Sequence, residues 1–165
     1  MKRLILMRHA KSDWADPALP DHARPLNKRG RRSARALGDW LRGAGLVPGE
    51  ILCSTAARTQ ETCARLRLPR APRLLDSLYM AGPEAMLDAL RAAQADTVLM
   101  IGHNPGIAEF AARLVATPPA HPRFDDYPTG ATLVADFEIA DWADLAEHTG
   151  RAADFVIPRE LLPEK

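Results

Sequence analysis

The 165-residue sequence lacks the features that mark several specialised classes of protein. It has only Cys53 and Cys63, and a chain of this length can bury a core without disulfides, so we expect free thiols and a cytoplasmic location. It has no excess of one charge, since 22 Lys and Arg face 21 Asp and Glu, and this argues against a dedicated nucleic-acid binder. No apolar run approaches the ~20 residues of a membrane span, so no membrane partner is expected. A glycine-rich phosphate loop is also missing.

What the sequence does contain is an alternation of strand-like and helix-like segments. Three short apolar runs, Leu4–Met7, Ile51–Cys53 and Thr97–Ile101, are typical of strands buried on both faces. Amphipathic helical patterns lie between them, the first with Asn27 as its N-cap and the second with Ser54 or Thr55. We therefore predict one α/β domain over residues 1–165, a three-layer α/β/α sandwich whose mixed, mostly parallel sheet has these three strands at its centre.

Polar residues suited to binding an anion follow each of the three strands directly. Arg8-His9 follows the first strand, Ser54 and Arg58 follow the second, and Gly102-His103 follows the third. Because ligands of open α/β sheets bind at the carboxyl ends of strands, these groups are expected to share one crevice. Arginine forks bind phosphoryl oxygens, and a neutral histidine is a competent nucleophile. Nearby guanidinium groups should lower the histidine pKa values and keep the rings neutral.

The motifs at these positions resemble those of the histidine phosphatase superfamily. Leu4-Ile5-Leu6-Met7-Arg8-His9-Ala10 is similar to its Arg-His-Gly signature, with alanine in place of glycine. Three further segments match in order, namely Arg24–Gly30 with the start of the first helix, Ser54–Thr62 with the second-arginine motif, and Gly102–Pro105 with the second-histidine motif. The short length, Leu78-Tyr79 and Pro128–Ala131 resemble the SixA-type phosphohistidine phosphatases.

This resemblance implies a phosphoglycerate mutase-like fold and a metal-independent phosphatase without a cofactor. His9 would be the nucleophile that becomes phosphorylated, and Arg8, Arg58 and His103 would complete the phosphate pocket. Arg24 is either a further residue at the pocket edge or an exposed arginine of the loop before Pro25.

The substrate depends on whether the site contains a general acid. The superfamily's phosphomonoesterases carry an acidic proton donor between the second arginine and the second histidine, where this chain offers Asp76 and Glu84 without a supporting motif. An alkoxide leaving group needs that proton, whereas an imidazole leaving group takes one from solvent. We therefore favour phosphohistidine in a protein as the substrate. Two alternatives remain: a small phosphorylated metabolite with Asp76 or Glu84 as acid, and a phosphate-binding module without activity.

The surroundings of the predicted site lead to two further expectations. Only 44 residues separate Arg58 from His103, and Thr117–Pro128 is rich in proline, so little chain is available for a lid and we expect a shallow, open site. The stretch Arg24–Arg42 carries seven basic residues, which form either a solvated helix face or a docking surface for an acidic partner. Trp14 lies either at the rim of the pocket or half-buried in the loop. Nothing in the sequence indicates an oligomeric state.

Overall fold

The computed structural model describes residues 1–162 and is organised around a six-stranded sheet. In chain order the strands are β1 (Lys2–Arg8), β2 (Glu50–Ser54), β3 (Arg73–Leu75), β4 (Thr97–Gly102), β5 (Thr132–Phe137) and β6 (Arg151–Val156). Their order across the sheet is β3-β2-β4-β1-β5-β6, with β3, β2, β4 and β1 parallel and β5 antiparallel to both of its neighbours. The predicted mixed sheet, with β2, β4 and β1 adjacent at its centre, is confirmed.

Helices cover both faces of this sheet. They are α1 (Lys28–Gly43), α2 (Ala57–Leu66), α3 (Pro83–Arg91), α4 (Gly106–Leu114) and the short α5 (Pro158–Leu161). Helices α1 and α2 pack together on one face, with α5 against α1, and α3 packs against α4 on the other, which confirms the three-layer prediction. None of the helices within residues 1–162 combines the length and the apolar character that a membrane span requires.

The unbroken apolar run of β1 is explained by burial on both faces. Leu4 and Leu6 belong to the core beneath α3 and α4, while Ile5 and Met7 belong to the core beneath α1 and α2. All four side chains are fully buried. Successive side chains of a strand point to opposite faces, so a central strand between two helical layers must be apolar at every position.

The start of α1 agrees with the sequence prediction, and the start of α2 does not. The Asn27 side chain accepts a hydrogen bond from the Gly30 N–H at 2.8 Å, as expected of an N-cap. In α2 the N-cap position is Ala56, which has no side-chain cap. The two hydroxyl groups predicted to cap this helix have other partners, because Ser54 contacts His103 and Thr55 donates to Asp76.

Gly30 allows α1 to lie directly against the chain segment that follows His9. A Cβ atom at this position would overlap the carbonyl oxygen of Lys11, and the same carbonyl already accepts a hydrogen bond from the Asn27 N–H at 3.0 Å. We expect Gly30→Ala to lower the free energy of unfolding by about 1–3 kcal/mol, because backbone rather than a flexible side chain must move. Urea denaturation followed by circular dichroism measures this change.

Gly43, the last residue of the same helix, provides the matched control. A Cβ atom there would meet nothing within 4 Å. Gly43→Ala should leave the protein unchanged or stabilise it by up to about 1 kcal/mol, since alanine loses less backbone entropy than glycine. Equal effects of the two substitutions would show that the contact with Lys11 is not what requires glycine at position 30.

Candidate active site

The parallel register of the central strands brings the predicted groups to one edge of the sheet. Arg8 pairs with Gly102 across β1 and β4, so that the next residues, His9 and His103, face each other with ring centroids 5.2 Å apart. A cavity of about 400 Å³ opens at this point. It is lined by Arg8, His9, Lys11, Ser12, Trp14, Asp21, Arg58, Met80, His103, Asn104 and Thr129.

His9 is held as a neutral ring with one nitrogen free. Its Nδ1 lies 2.7 Å from the carbonyl oxygen of Ala10, and because a carbonyl only accepts, Nδ1 carries the proton. The lone pair is therefore on Nε2. Burial lowers the pKa of His9 to about 3, with smaller contributions from the charges of Arg8 and Arg58. The lowered pKa agrees with the sequence argument, but desolvation is its main cause rather than the arginines.

Ser54 holds His103 in the same tautomer as His9, with the proton on Nδ1. The His103 Nε2 lies 2.8 Å from the Ser54 hydroxyl oxygen, which also accepts a hydrogen bond from the Ala56 N–H at 3.3 Å. The hydroxyl can thus give its single proton to Nε2, which leaves the imidazole proton on Nδ1. This Nδ1 is buried and has no hydrogen-bond partner within residues 1–162. Burial, followed by the charge of Arg58, lowers the pKa of His103 to about 4, so the ring offers a neutral N–H donor.

The two guanidinium groups are held by hydrogen bonds to backbone carbonyl groups and, for Arg58, also to a carboxylate. Arg8 Nη1 donates to the carbonyl of Tyr127 at 3.2 Å, while its buried Nε has no partner within residues 1–162. Arg58 Nη1 donates to the carbonyl of Asp21 at 2.8 Å, and its Nη2 donates to the Asp21 carboxylate at 3.0 Å. Two fixed cations beside two neutral histidines are suited to binding a phosphoryl group, and we call these four side chains the phosphoryl seat.

Thr62 fixes the position of α2 relative to the end of β1. Its hydroxyl accepts from the Ala10 N–H at 3.0 Å and donates to the carbonyl of Arg58 at 2.7 Å. The backbone that carries Arg58 is thereby tied to the residue after His9. This bridge explains the threonine at the end of the Ser54–Thr62 motif.

Asp21 and Tyr79 also belong to the site, although neither was predicted from the sequence to be functional. The Tyr79 hydroxyl donates to the Asp21 carboxylate, and the Tyr79 ring meets His103 edge-on with centroids 5.5 Å apart. The hydrogen bond from Tyr79, reinforced by Arg58, lowers the pKa of Asp21, so this carboxylate is ionised. Only the resemblance of Leu78-Tyr79 to a family motif pointed to the tyrosine, and nothing in the proline-rich loop singled out Asp21.

The structure does not bring Arg24 to the cavity. Its guanidinium group donates to the carbonyl oxygens of Asp13, Asp16 and Leu19 at 3.0–3.2 Å and lies 4.0 Å from the centroid of the Trp14 ring. Arg24 is also buried, so it is not the exposed loop arginine of the alternative interpretation either. Arg24 stabilises the loop conformation, because its guanidinium group supplies the hydrogen-bond donors for three backbone carbonyl groups of the loop.

Neither proposed general acid reaches the cavity. Asp76 is exposed and accepts a hydrogen bond from the Thr55 hydroxyl at 2.6 Å, while Glu84 is exposed and pairs with Arg113 at 2.8 Å. Asp21 is the only carboxylate among the described residues that line the cavity.

The site is deeper than the sequence predicts. His9 and His103 are 6% and 1% exposed, and the loop after β1 forms one wall through Ser12, Trp14 and Asp21. The prediction of a shallow site was based on the segments after Arg58 and Thr117 and did not include this loop. Trp14 lies at the rim and is itself 66% exposed.

The chain is similar to known proteins over most of its length. The sequence model described as histidine phosphatase superfamily (branch 1) matches residues 4–77. An uncharacterized protein of Mycobacterium tuberculosis strain H37Rv is 32% identical over 161 residues, which cover 93% of this chain and 100% of the relative. The structure of a candidate phosphohistidine phosphatase SixA from Nakamurella multipartitia is 34% identical and aligns over 95% of this chain and 96% of its own, with a TM-score of 0.83. A corresponding SixA structure from Agrobacterium tumefaciens is 27% identical over 95% and 99% of the two chains, with a TM-score of 0.76.

Proposed function

Given that the chain belongs to the histidine phosphatase superfamily as a SixA-like phosphatase, we propose that it removes the phosphoryl group from phosphohistidine side chains of proteins. His9 is the proposed nucleophile, with Arg8, Arg58 and His103 as the groups that hold the phosphoryl oxygens. The likeness to a candidate phosphohistidine phosphatase at 34% identity supports the substrate class.

The observation that carries this proposal is the lack of a protonated carboxyl group in the part of the cavity formed by residues 1–162. Asp21 lines the cavity, but Tyr79 and Arg58 lower its pKa and keep it ionised. General acid catalysis is worth about 10²–10⁴-fold when an alkoxide must leave, and Asp21 holds no proton to supply. An imidazole leaving group takes its proton from solvent, so phosphohistidine does not need this acid.

The proposed reaction has two steps on one histidine. The lone pair of His9 Nε2 forms a bond to phosphorus while the bond from phosphorus to the substrate imidazole breaks, and that imidazole acquires a proton from water. A water molecule then attacks phospho-His9, which releases inorganic phosphate and returns the ring to its neutral form. Arg8, Arg58 and the His103 Nδ1–H stabilise the charge on the three equatorial oxygens in both steps.

The rim of the cavity suits a substrate carried on a protein. Trp14 and Met80 line the cavity and are 66% and 52% exposed, so two large apolar side chains are open to solvent at its rim. They can contact the imidazole ring of the substrate and the surface around it. A small, highly charged sugar phosphate would gain little from such a rim.

The test compares two peptides of one sequence, phosphorylated on histidine or on serine at the same position. We expect kcat/KM to be about 10²-fold or more higher for phosphohistidine, because only the serine alkoxide requires an acid. Comparable rates, or faster turnover of sugar phosphates, would contradict the proposal. Asp76→Asn and Glu84→Gln serve as controls and should leave both rates unchanged. A selective loss of phosphoester hydrolysis in either variant would instead favour the metabolite alternative.

A further inference from the structure

A second cavity adjoins the active site and has a strongly basic lining. Its volume is about 250 Å³, and it shares Lys11 and Thr129 with the active-site cavity. Four separate parts of the chain each contribute one cation to it, namely Lys11 after β1, Arg29 in α1, Arg123 in the loop before β5, and Arg159 in α5. We call it the basic cavity.

Most of the charge in the basic cavity is not neutralised by the protein. Within residues 1–162, Lys11, Arg29 and Arg159 have no carboxylate within 4 Å, and only Arg123 is paired, with Asp126 at 2.8 Å. The nearby Glu160 carboxylate accepts from the Ile157 N–H at 3.0 Å and contacts His121 at 3.2 Å. Clustered cations without counter-charges attract an anionic ligand.

The shared wall between the two cavities is tied to the catalytic strand end. The Gly130 N–H, next to Thr129, donates to the carbonyl oxygens of Arg8 and His9 at 3.1 and 2.9 Å. On the other side, the Lys11 carbonyl accepts from the Asn27 N–H at the start of α1. The hydrogen bonds from Gly130 join the backbone at the wall of the basic cavity directly to the backbone of Arg8 and His9.

The other basic residues of the Arg24–Arg42 stretch include several with structural contacts. Arg31 donates to the carbonyl of Leu26 at 3.0 Å, and Arg42 pairs with Asp39 at 2.6 Å. Arg35 is exposed on α1 but does not line the basic cavity. Of the seven basic residues in this stretch, only Arg29 lines the basic cavity, beside cations that lie far from it in the sequence.

We propose that the basic cavity binds acidic side chains that flank the phosphohistidine of a protein substrate. This inference rests on the proposed function, because the flanking residues reach the basic cavity while the phosphoryl group occupies the adjoining site. The four cations are exposed and project from separate elements, unlike the buried Arg58 of the phosphoryl seat. That arrangement suits several carboxylates spaced along a partner chain rather than one tightly held second phosphate.

The experiment uses phosphohistidine peptides with either aspartate or asparagine at the flanking positions. The intact enzyme should show a kcat/KM about tenfold higher for the aspartate peptide, and added salt should reduce this preference. The double variant Arg29→Glu/Arg159→Glu should lose the preference for the aspartate peptide. Its kcat for p-nitrophenyl phosphate, which has no second anionic group, should remain unchanged, which would show that the active site is intact. Arg35→Glu makes the same substitution as Arg29→Glu on the same helix, outside the basic cavity, and should have no effect.

Binding of the unphosphorylated aspartate peptide, measured by fluorescence anisotropy, tests the inference independently of catalysis. Its affinity should fall in the double variant and not in Arg35→Glu. Equal affinity in all three proteins, or a preference for small bisphosphates over acidic peptides, would overturn the inference. If neither phosphohistidine peptide is hydrolysed although p-nitrophenyl phosphate is, the proposed function fails, and the anisotropy result still decides whether the basic cavity binds acidic chains.

Discussion

Replacing His9 with alanine should reduce turnover of every phosphorylated substrate by about 10⁴-fold or more, because the reaction loses its nucleophile. The remaining pocket would still bind phosphate through Arg8, Arg58 and His103, so substrate affinity should fall far less than kcat. His121→Ala is the control, since His121 lies outside the cavity and contacts Glu160. Chelation by EDTA should leave the intact enzyme active, and loss of activity on that treatment alone would contradict the mechanism.

Trapping of the phosphorylated intermediate distinguishes the nucleophile from a residue that only binds the phosphoryl group. Rapid quenching of the intact enzyme with labelled substrate should place acid-labile, base-stable phosphate on the protein, and peptide mapping should assign it to His9. A His103→Ala variant should form the same adduct more slowly, because His103 donates a hydrogen bond to the phosphoryl group in this mechanism. Labelling of His103 in the intact enzyme would reverse the two roles.

Replacing Arg58 with methionine should lower kcat/KM by about 10²–10⁴-fold, for two reasons that act together. The phosphoryl oxygens lose a fixed cation, and the Asp21 carboxylate loses the partner that lies 3.0 Å away. The Asp21 carboxylate keeps its hydrogen bond from Tyr79 but has no cation to neutralise it, so it repels the incoming phosphate.

The contribution of Asp21 can be measured by combining substitutions. The double variant Arg58→Met/Asp21→Asn should have a kcat/KM about tenfold higher than that of Arg58→Met, because it removes the repulsion by the carboxylate. It should stay below the intact enzyme, because the cation is still missing. Arg65→Met is the matched control, because Arg65 lies on the same helix and pairs with Glu61 at 3.2 Å, outside the cavity. A double variant no better than the single one would show that Asp21 does not oppose phosphate binding.

The principal parts of the site were predictable because they depend on regular structure. A strand buried on both faces is recognisable from its apolar run, and parallel neighbours must bring their carboxyl ends together. Once β1, β2 and β4 were assigned, the convergence of Arg8-His9, Arg58 and His103 followed from that geometry. Their assignment as catalytic groups remains a prediction that the substitutions above test.

The loop after β1 could not be predicted in the same way, because its conformation depends on contacts without a sequence period. Arg24 satisfies three inward-facing carbonyl groups, and Asp21 lies beside Arg58 only because the loop folds back over α2. The depth of the site depends on the same loop. For this reason the extent to which the histidines are desolvated could not be predicted. The direction of their pKa shifts could be predicted.

Burial of His9 and His103 as neutral rings also makes the fold sensitive to acid. In an unfolded chain both imidazoles take up protons near pH 6.5, whereas the folded protein delays this uptake until pH values of about 3 and about 4. Above pH 6.5 both states are neutral at these rings, and no penalty exists. As the pH falls below 6.5, only the unfolded state gains protons at these rings. For each unit by which a histidine pKa is lower in the folded than in the unfolded state, the fold loses on the order of 1.4 kcal/mol of stability in acid. The fold therefore keeps His9, the proposed nucleophile, as a neutral ring, but it loses thermodynamic stability in acid. The His9 and His103 rings set the pH range in which that loss occurs.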